Sequence, residues 1–255
     1  YSTAPQVVHA VTYLADPTDS SQWKDSRDDM FGTYMTGDIR DRPSGELGGT
    51  GVGHRKIRLP AGFHWDVPGR SDLAMEVHYR PLGRPLRLQD RVAFEVTEDQ
   101  NSRPLRTLIS MVRWIDVAPG ASSTVEDQFV LEEDVQLVGI TPRAMGTCAA
   151  LRLTASLPHG EEVILFDAPD WDPHWRQTFL LEDVYELPLG TVIRGTWRIV
   201  NTEENPRNPF VPIERLSMAR RTGAVSILLH VAAEDPEADQ RLQGWHRELM
   251  RSRMR

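Results

Sequence analysis

Runs in which apolar and polar residues alternate recur along this chain, and a period of two predicts strands with two unlike faces. Residues 7–14 (VVHAVTYL) open the series with β-branched positions. In residues 72–79, Met75, Val77 and Tyr79 alternate with Ala74, Glu76 and His78, until Pro81 and Gly83 stop the run. Residues 57–62 read as a strand end and turn. Residues 91–97 and 105–113 alternate again on either side of turn chemistry at 98–104. The second half predicts strands at 123–131, 136–140, 149–156, 162–166, 177–181, 191–200 and 225–231, parted by turns such as Leu157-Pro-His-Gly160 and Leu187-Pro-Leu-Gly190. Short strands about 8 to 14 residues apart with turn signals between them predict an all-β fold built of sandwiches.

Two stretches depart from that rhythm. Residues 16–53 are polar and rich in Asp and Gly, with a hint of helix only at 23–31. A loop of that length in a compact domain is expected to be functional or to wrap a neighbour. Its acids Asp25, Asp28 and Asp29 do not follow a calcium-loop spacing and read as a solvated face. At the other end, Asp235-Pro236-Glu237 is a helix start: a capping acid, Pro at the first helical position, then an acid in the first turn. Leu242, Trp245, Leu249 and Met250 then recur at helical spacing among Arg241, Arg247, Arg251, Arg253 and Arg255. From Arg241 onward five Arg stand against one Glu, giving +4 and leaving −12 on the rest of a chain whose net charge is −8. Such a helix can dock on an acidic protein partner or an anionic membrane surface through Trp245, Leu249, Arg247 and Arg251. It can equally pack back on its own acidic body, and the sequence leaves both open. In the docking case, trimming the chain at Asp235 leaves the body folded.

The length of 255 residues suits two domains, and the turn chemistry puts a boundary near Arg106. The expected units are 1–106, 107–232 and a basic helical tail at 233–255. Hydrophobic content of 40% and charged content of 26% describe an ordinary globular protein. No apolar run approaches the roughly 18 residues that span a bilayer. The negative charge argues against nucleic acid as a partner. Cys148 is the single cysteine, which excludes an intrachain disulfide and fits a cytosolic or a bacterial exported protein. The chain begins at Tyr1 without a Met and reads as a mature or trimmed product.

The segment LAMEVHYRPLG at 73–83 resembles the strand that carries a copper-ligating His in the copper type II, ascorbate-dependent monooxygenases, the peptidylglycine and dopamine hydroxylase family, above all its bacterial members. Further likeness lies in VVHAVTYLAD at 7–16, LVGITPRAMG at 137–146, APDWDPHWRQTF at 168–179 and VNTEENPRNPF at 200–210, so the resemblance runs from about Val7 to Val231. It implies two tandem jelly-roll-like antiparallel sandwiches facing a cleft, one copper on each, in a periplasmic or otherwise exported protein.

The resemblance places the ligands of the first copper at a His-His pair and at the His of the HY strand. Here the pair reads His9-Ala10, so His9 and His78 match two of three positions and Ala10 cannot coordinate. Two imidazoles hold Cu(I) weakly, with His54 or His64 as a conceivable third ligand. For the second, catalytic copper the resemblance implies a His-x-His pair and a late Met. Arg143 stands at the first His, Met145 at the second, and the late Met pattern is replaced around 222–224, with Met218 nearest. A guanidinium puts a permanent positive charge where the metal belongs. A soft site from Met145 and Cys148 is the remaining option, although both residue types usually fill cores.

There is no G-x-S-x-G elbow, P-loop or H-E-x-x-H. His159 and His174 read as surface or structural residues. Residues 201–208, with Glu203 and Glu204, read as hydrogen-bonded turns or a cation loop. The expectation is therefore a non-catalytic accessory or assembly subunit that keeps the scaffold for protein–protein interaction within a larger complex. No cofactor is expected beyond copper at low occupancy. Two other readings stand beside it: a copper monooxygenase with substitute ligands, and a small-molecule binding module at the inter-domain cleft.

Overall fold

The computed structural model describes residues 8–16, 46–51, 56–67, 69, 71–79, 83–85, 92–175, 177–219 and 225–253; for 8–16, 46, 51, 72–79 and 218–219 it describes the backbone alone. Among the described residues the fold is all-β with one C-terminal helix, as the patterning predicts. In the first half β1 (Val8–Asp16) pairs antiparallel with both β2 (Glu46–Gly51) and β4 (Asp72–Tyr79), giving a three-stranded sheet. The short β3 (Phe63–Trp65) belongs to a different sheet.

The rest is a sandwich. β5 (Arg103–Val112), β14 (Val225–Ala233), β8 (Val135–Arg143) and β11 (Phe179–Leu187) are neighbours in one sheet. β7 (Ala121–Val130), β12 (Val192–Asn201), β9 (Cys148–Ser156) and β10 (Glu162–Ala168) are neighbours in the other. Successive strands cross between two four-stranded layers in the order of a jelly roll. β3 adds to the free side of β5 in parallel, Phe63 beside Arg103 and Trp65 beside Leu105. A small ribbon of β6 (Trp114–Val117) and β13 (Leu216–Ala219) closes one end.

Alternation explains the core. In β12, Ile193, Trp197 and Ile199 are fully buried while Arg194 and Arg198 are exposed. These side chains meet Leu137 and Ile140 of β8 and Ile227, Leu229 and Val231 of β14 between the layers. β14 is different, because every one of its residues is buried. Its second face carries Leu228 and Ala232, which pack in separate clusters with Ile109 and Met111 and with Leu105 and Val138. The five-stranded sheet is therefore covered on both sides.

α1 (Pro236–Arg253) starts as predicted, with Asp235 Oδ1 accepting the backbone N–H of Glu237 and Ala238. It packs back on the body. Ala238 and Leu242 enter the inter-sheet core, Trp245 lies 5.9 Å from the Phe129 ring and Leu249 joins the same core. Along β5 beyond β3, the outward backbone groups need partners. Asp127 Oδ2 accepts the Met111 N–H at 2.9 Å, and Arg253 donates to the Ile109 carbonyl at 2.9 Å. Arg106 and Asp239 form a bidentate pair at 2.7 Å, and Arg241 pairs with Glu133. The helix thus seals the open side between β5 and β7.

Several expectations change. The boundary between 106 and 107 falls inside β5, and β3 from the first half joins the sheet of the second, so the sheet does not respect that division. Of residues 91–97, expected as a strand, 92–97 are described and form no strand among the described residues, with Phe94 and Val96 exposed. β2 lies inside the expected long loop; Gly-rich ELGGTG carries little β propensity, and its pairing to β1 comes from tertiary contact. β3, β6 and β13 are too short for periodicity to reveal. The helix hint at 23–31 and Asp25, Asp28 and Asp29 lie outside the described residues.

Because Leu242 is fully buried in the core, trimming at Asp235 is expected to unmake the sandwich rather than leave it folded. The finer test is Leu242→Ala, which should cost about 2–5 kcal/mol in urea unfolding. The body should stay two-state.

Candidate metal centre

The backbone pairing of β1 with β4 sets Ala10 beside His78, with a bulge at His9 between the pairs Val8–Tyr79 and Ala10–His78. His9 and His78 therefore share one end of the three-stranded sheet, while their side chains lie outside the described residues. His54 and Met218's side chain lie outside them as well. His64 is not brought to that sheet. It sits on β3, with its Nδ1 hydrogen-bonded to Ser102 Oγ at 2.9 Å.

The second position is fully described. Arg143 ends β8 opposite Ser226 of β14 and is only 4% exposed. It lies on the second face of the sheet, beside His230. Met145 follows in the turn and packs, partly buried, against the inter-sheet core. Cys148 is buried in that same core, its Sγ donating to the Ala150 carbonyl, and burial pushes the thiol up to about 12. The Met145–Cys148 pair is core packing. Buried as a permanent cation, Arg143 is the opposite of a metal ligand. The residues at this position do not fit copper. Among the described residues, no three His, Cys, Asp or Glu side chains come together in a way that could hold an ion.

What stands there instead is a hydrogen-bonded chain. Thr107 Oγ1 of β5 lies 3.3 Å from His230 Nδ1, and His230 Nε2 lies 2.7 Å from Thr141 Oγ1 of β8. Thr141 Oγ1 is 2.8 Å from Thr178 Oγ1, which also accepts the Gly49 N–H of β2 at 3.0 Å. The Thr178 N–H returns to the Gly49 carbonyl at 2.9 Å. This chain fastens the three-stranded sheet to the jelly roll. Gly48 makes the approach possible: its φ is +82°, and a Cβ there would meet Thr178 Oγ1 at 2.7 Å and the Trp65 ring at 3.2 Å. Trp65 stands edge-on to His230 at 6.1 Å. Burial, and then the Arg143 charge, lower His230 to about 3, so the imidazole is neutral, as one donor and one acceptor nitrogen between hydroxyls require. A His inside the apolar run ILLHVAA was the signal in the sequence for this site, and periodicity alone passed over it.

The loop between β8 and β9 is held by the residues at 201–208, which are saturated with internal bonds. Asn205 Nδ2 donates to the carbonyls of Gly146 and Val200, and Asn201 Nδ2 to those of Val117, Ala118 and Glu214. Arg207 pairs with Asp170, and the buried Trp171 donates to the Ala144 carbonyl. This network accounts for the asparagines as structural turns, and Glu203 and Glu204 beside them are exposed. His159 and His174 are exposed beside Glu161 and Asp172.

Of the expected docking residues, Trp245 and Leu249 pack, partly buried, against the core of the fold. Arg247 and Arg251 are exposed. Sequence spacing cannot distinguish these outcomes, since an amphipathic stripe looks the same whichever surface covers it.

Comparisons with known proteins add little. No family model matches the chain, and no curated protein does. Among solved structures, the VP2 subviral particle of infectious bursal disease virus is similar over 92% of this chain and 56% of that chain, at 12% identity and a TM-score of 0.28. A structure of the Gx strain of that virus is similar over 90% and 53%, at 10% identity and a TM-score of 0.27. The chain spans a little over half the length of those chains. At such scores the likeness carries no argument.

Two outcomes follow from this geometry. A Cβ on Gly146 would lie 2.1 Å from the Arg207 carbonyl oxygen, so Gly146→Ala should lower stability by about 1–3 kcal/mol in chemical denaturation. For His230, the folded value lies below the ordinary 6.5, so the unfolded chain binds more protons between pH 6.5 and about 3. Stability is full above that window and lost as pH falls through it. Between about pH 7 and pH 5, His230→Gln should lose roughly 2 kcal/mol less stability than the wild type.

Proposed function

We propose that this chain is a non-catalytic accessory or assembly subunit that keeps a copper monooxygenase-like scaffold for protein–protein contact in a larger, exported complex. One observation carries the reading. Where the resemblance asks for the first His of the catalytic copper, the side chain is a buried guanidinium, and its expected companion Met145 belongs to the core. Hydrogen abstraction in that family needs the second copper, and this chain has no recognisable set of ligands for it. The first position keeps His9 and His78, which are enough for weak Cu(I) binding and too few for a redox cycle. The contact surface fits the exposed Arg247 and Arg251, facing an acidic protein or an anionic membrane, while the charge of −8 disfavours nucleic acid.

Titration with Cu(I) and Cu(II), read by competition with a chromogenic chelator, tests this. The expected result is at most one weak equivalent, lost on His78→Ala, and no ascorbate-driven oxygen uptake. Two tight equivalents with oxygen uptake would overturn the reading in favour of a monooxygenase with substitute ligands. A small organic molecule that copurifies stoichiometrically would favour a binding module at the cleft.

A further inference from the structure

The C-terminal half of α1 contains a second, part-buried imidazole. His246 Nε2 has no solvent contact and no hydrogen-bond partner. Its ring lies 6.3 Å from Trp245, which packs on Phe129 of β7. Seven residues on, two turns along the same helical face, Arg253 bonds Asp127 Oδ1 at 2.9 Å, the carbonyls of Ile109 and Gln128, and the face of the Phe129 ring. Arg113, just past β5, donates to the Arg253 carbonyl at 2.6 Å. The charged groups bonded together at this end of the helix are thus Arg253 on α1, Arg113 after β5 and Asp127 on β7, while Arg247, Glu248 and Arg251 of the same segment are exposed. Asp127 is already engaged by Ser110 Oγ and the Met111 N–H as well as by Arg253. No carboxylate is bonded to His246 Nε2, and the charge that acts on the ring is the Arg253 guanidinium, so a protonated His246 has no paired counter-charge in the closed strap.

From this geometry we propose that the segment 245–253 of α1 is an acid-released strap, with His246 as its trigger. A neutral ring fits the closed strap, and a charged one is expelled from it toward water. Release uncovers Phe129, Ile109 and Met111 along the β5–β7 side, while the first turns of the helix stay anchored by Leu242 and the Arg106–Asp239 pair. Burial, then the Arg253 charge, lower His246 to about 4 in the closed strap, against the ordinary 6.5 when it is open. The closed form is full above pH 6.5 and weakens below it, by roughly 30-fold at pH 5 and roughly 160-fold at pH 4, where the closed strap itself begins to take up the proton. The inference does not depend on the accessory-subunit reading, because copper binding plays no part in it.

Hydrogen exchange at peptide level, corrected for the pH dependence of intrinsic exchange, tests it on the full chain. Between about pH 7 and pH 5, opening of 245–253 should rise by roughly 30-fold while β14 stays protected, and His246→Leu should flatten that rise to less than about threefold. Histidine NMR on labelled wild-type protein gives a readout independent of any variant: the His246 ring should stay neutral well below pH 6. Opening in step with β14, an equal acid response in His246→Leu, or titration of His246 near 6.5 would each overturn the strap.

Discussion

The constraint on which the rest depends is the burial of β14 on both faces. A strand sealed on one side satisfies itself by alternation; a strand sealed on two must find partners for every polar side chain it carries. Ser226 and His230 sit on the second face of β14, where an unpaired imidazole nitrogen would cost a few kcal/mol. The hydroxyls of Thr107 and Thr141 answer that need from the strands on either side, and Thr178 extends the chain to the backbone of β2. Covering this face is what recruits β3, Trp65 and the Gly48–Gly49 stretch of β2 in the three-stranded sheet.

The same constraint bears on function. A mononuclear redox centre needs side chains that converge on an open coordination position. Here the corresponding stretch runs from a buried Arg143 on one side of the sheet to Met145 in the core on the other. Neutral His230 is locked between hydroxyls and faces a fixed cation, so it cannot exchange its partners for a metal without breaking the contact between the two sheets. The hydrogen-bonded chain is a fastening, and that is the physical basis for reading the molecule as scaffold.

The charge asymmetry between body and tail finds its outlet within the molecule. Arg241, Arg253 and Asp239 all close ion pairs with β-sheet residues or the turns beside them, and the apolar stripe of α1 fills the side of the sandwich that β5 and β7 leave open. A helix here protects edge backbone groups that would otherwise template pairing with another chain. Arg247 and Arg251 are left facing solvent, where they supply charge without apolar anchorage.

Much of the architecture was legible in the residues. Alternation located β1, β4, β5, β7, β9, β10 and β12, apolar runs between turn signals located β8 and β14, and the Asp235-Pro236-Glu237 signal located the start of α1, because burial imposes a pattern that local sequence must carry. What only the tertiary structure decided was which surfaces meet. β3 joins the sheet across the expected domain boundary, 92–97 forms no strand among the described residues despite its pattern, and His230 becomes the centre of a polar chain. Trp245 also turns inward. Each of these depends on contacts between residues far apart in the chain, and a one-dimensional pattern reports that a face is apolar without saying what will cover it.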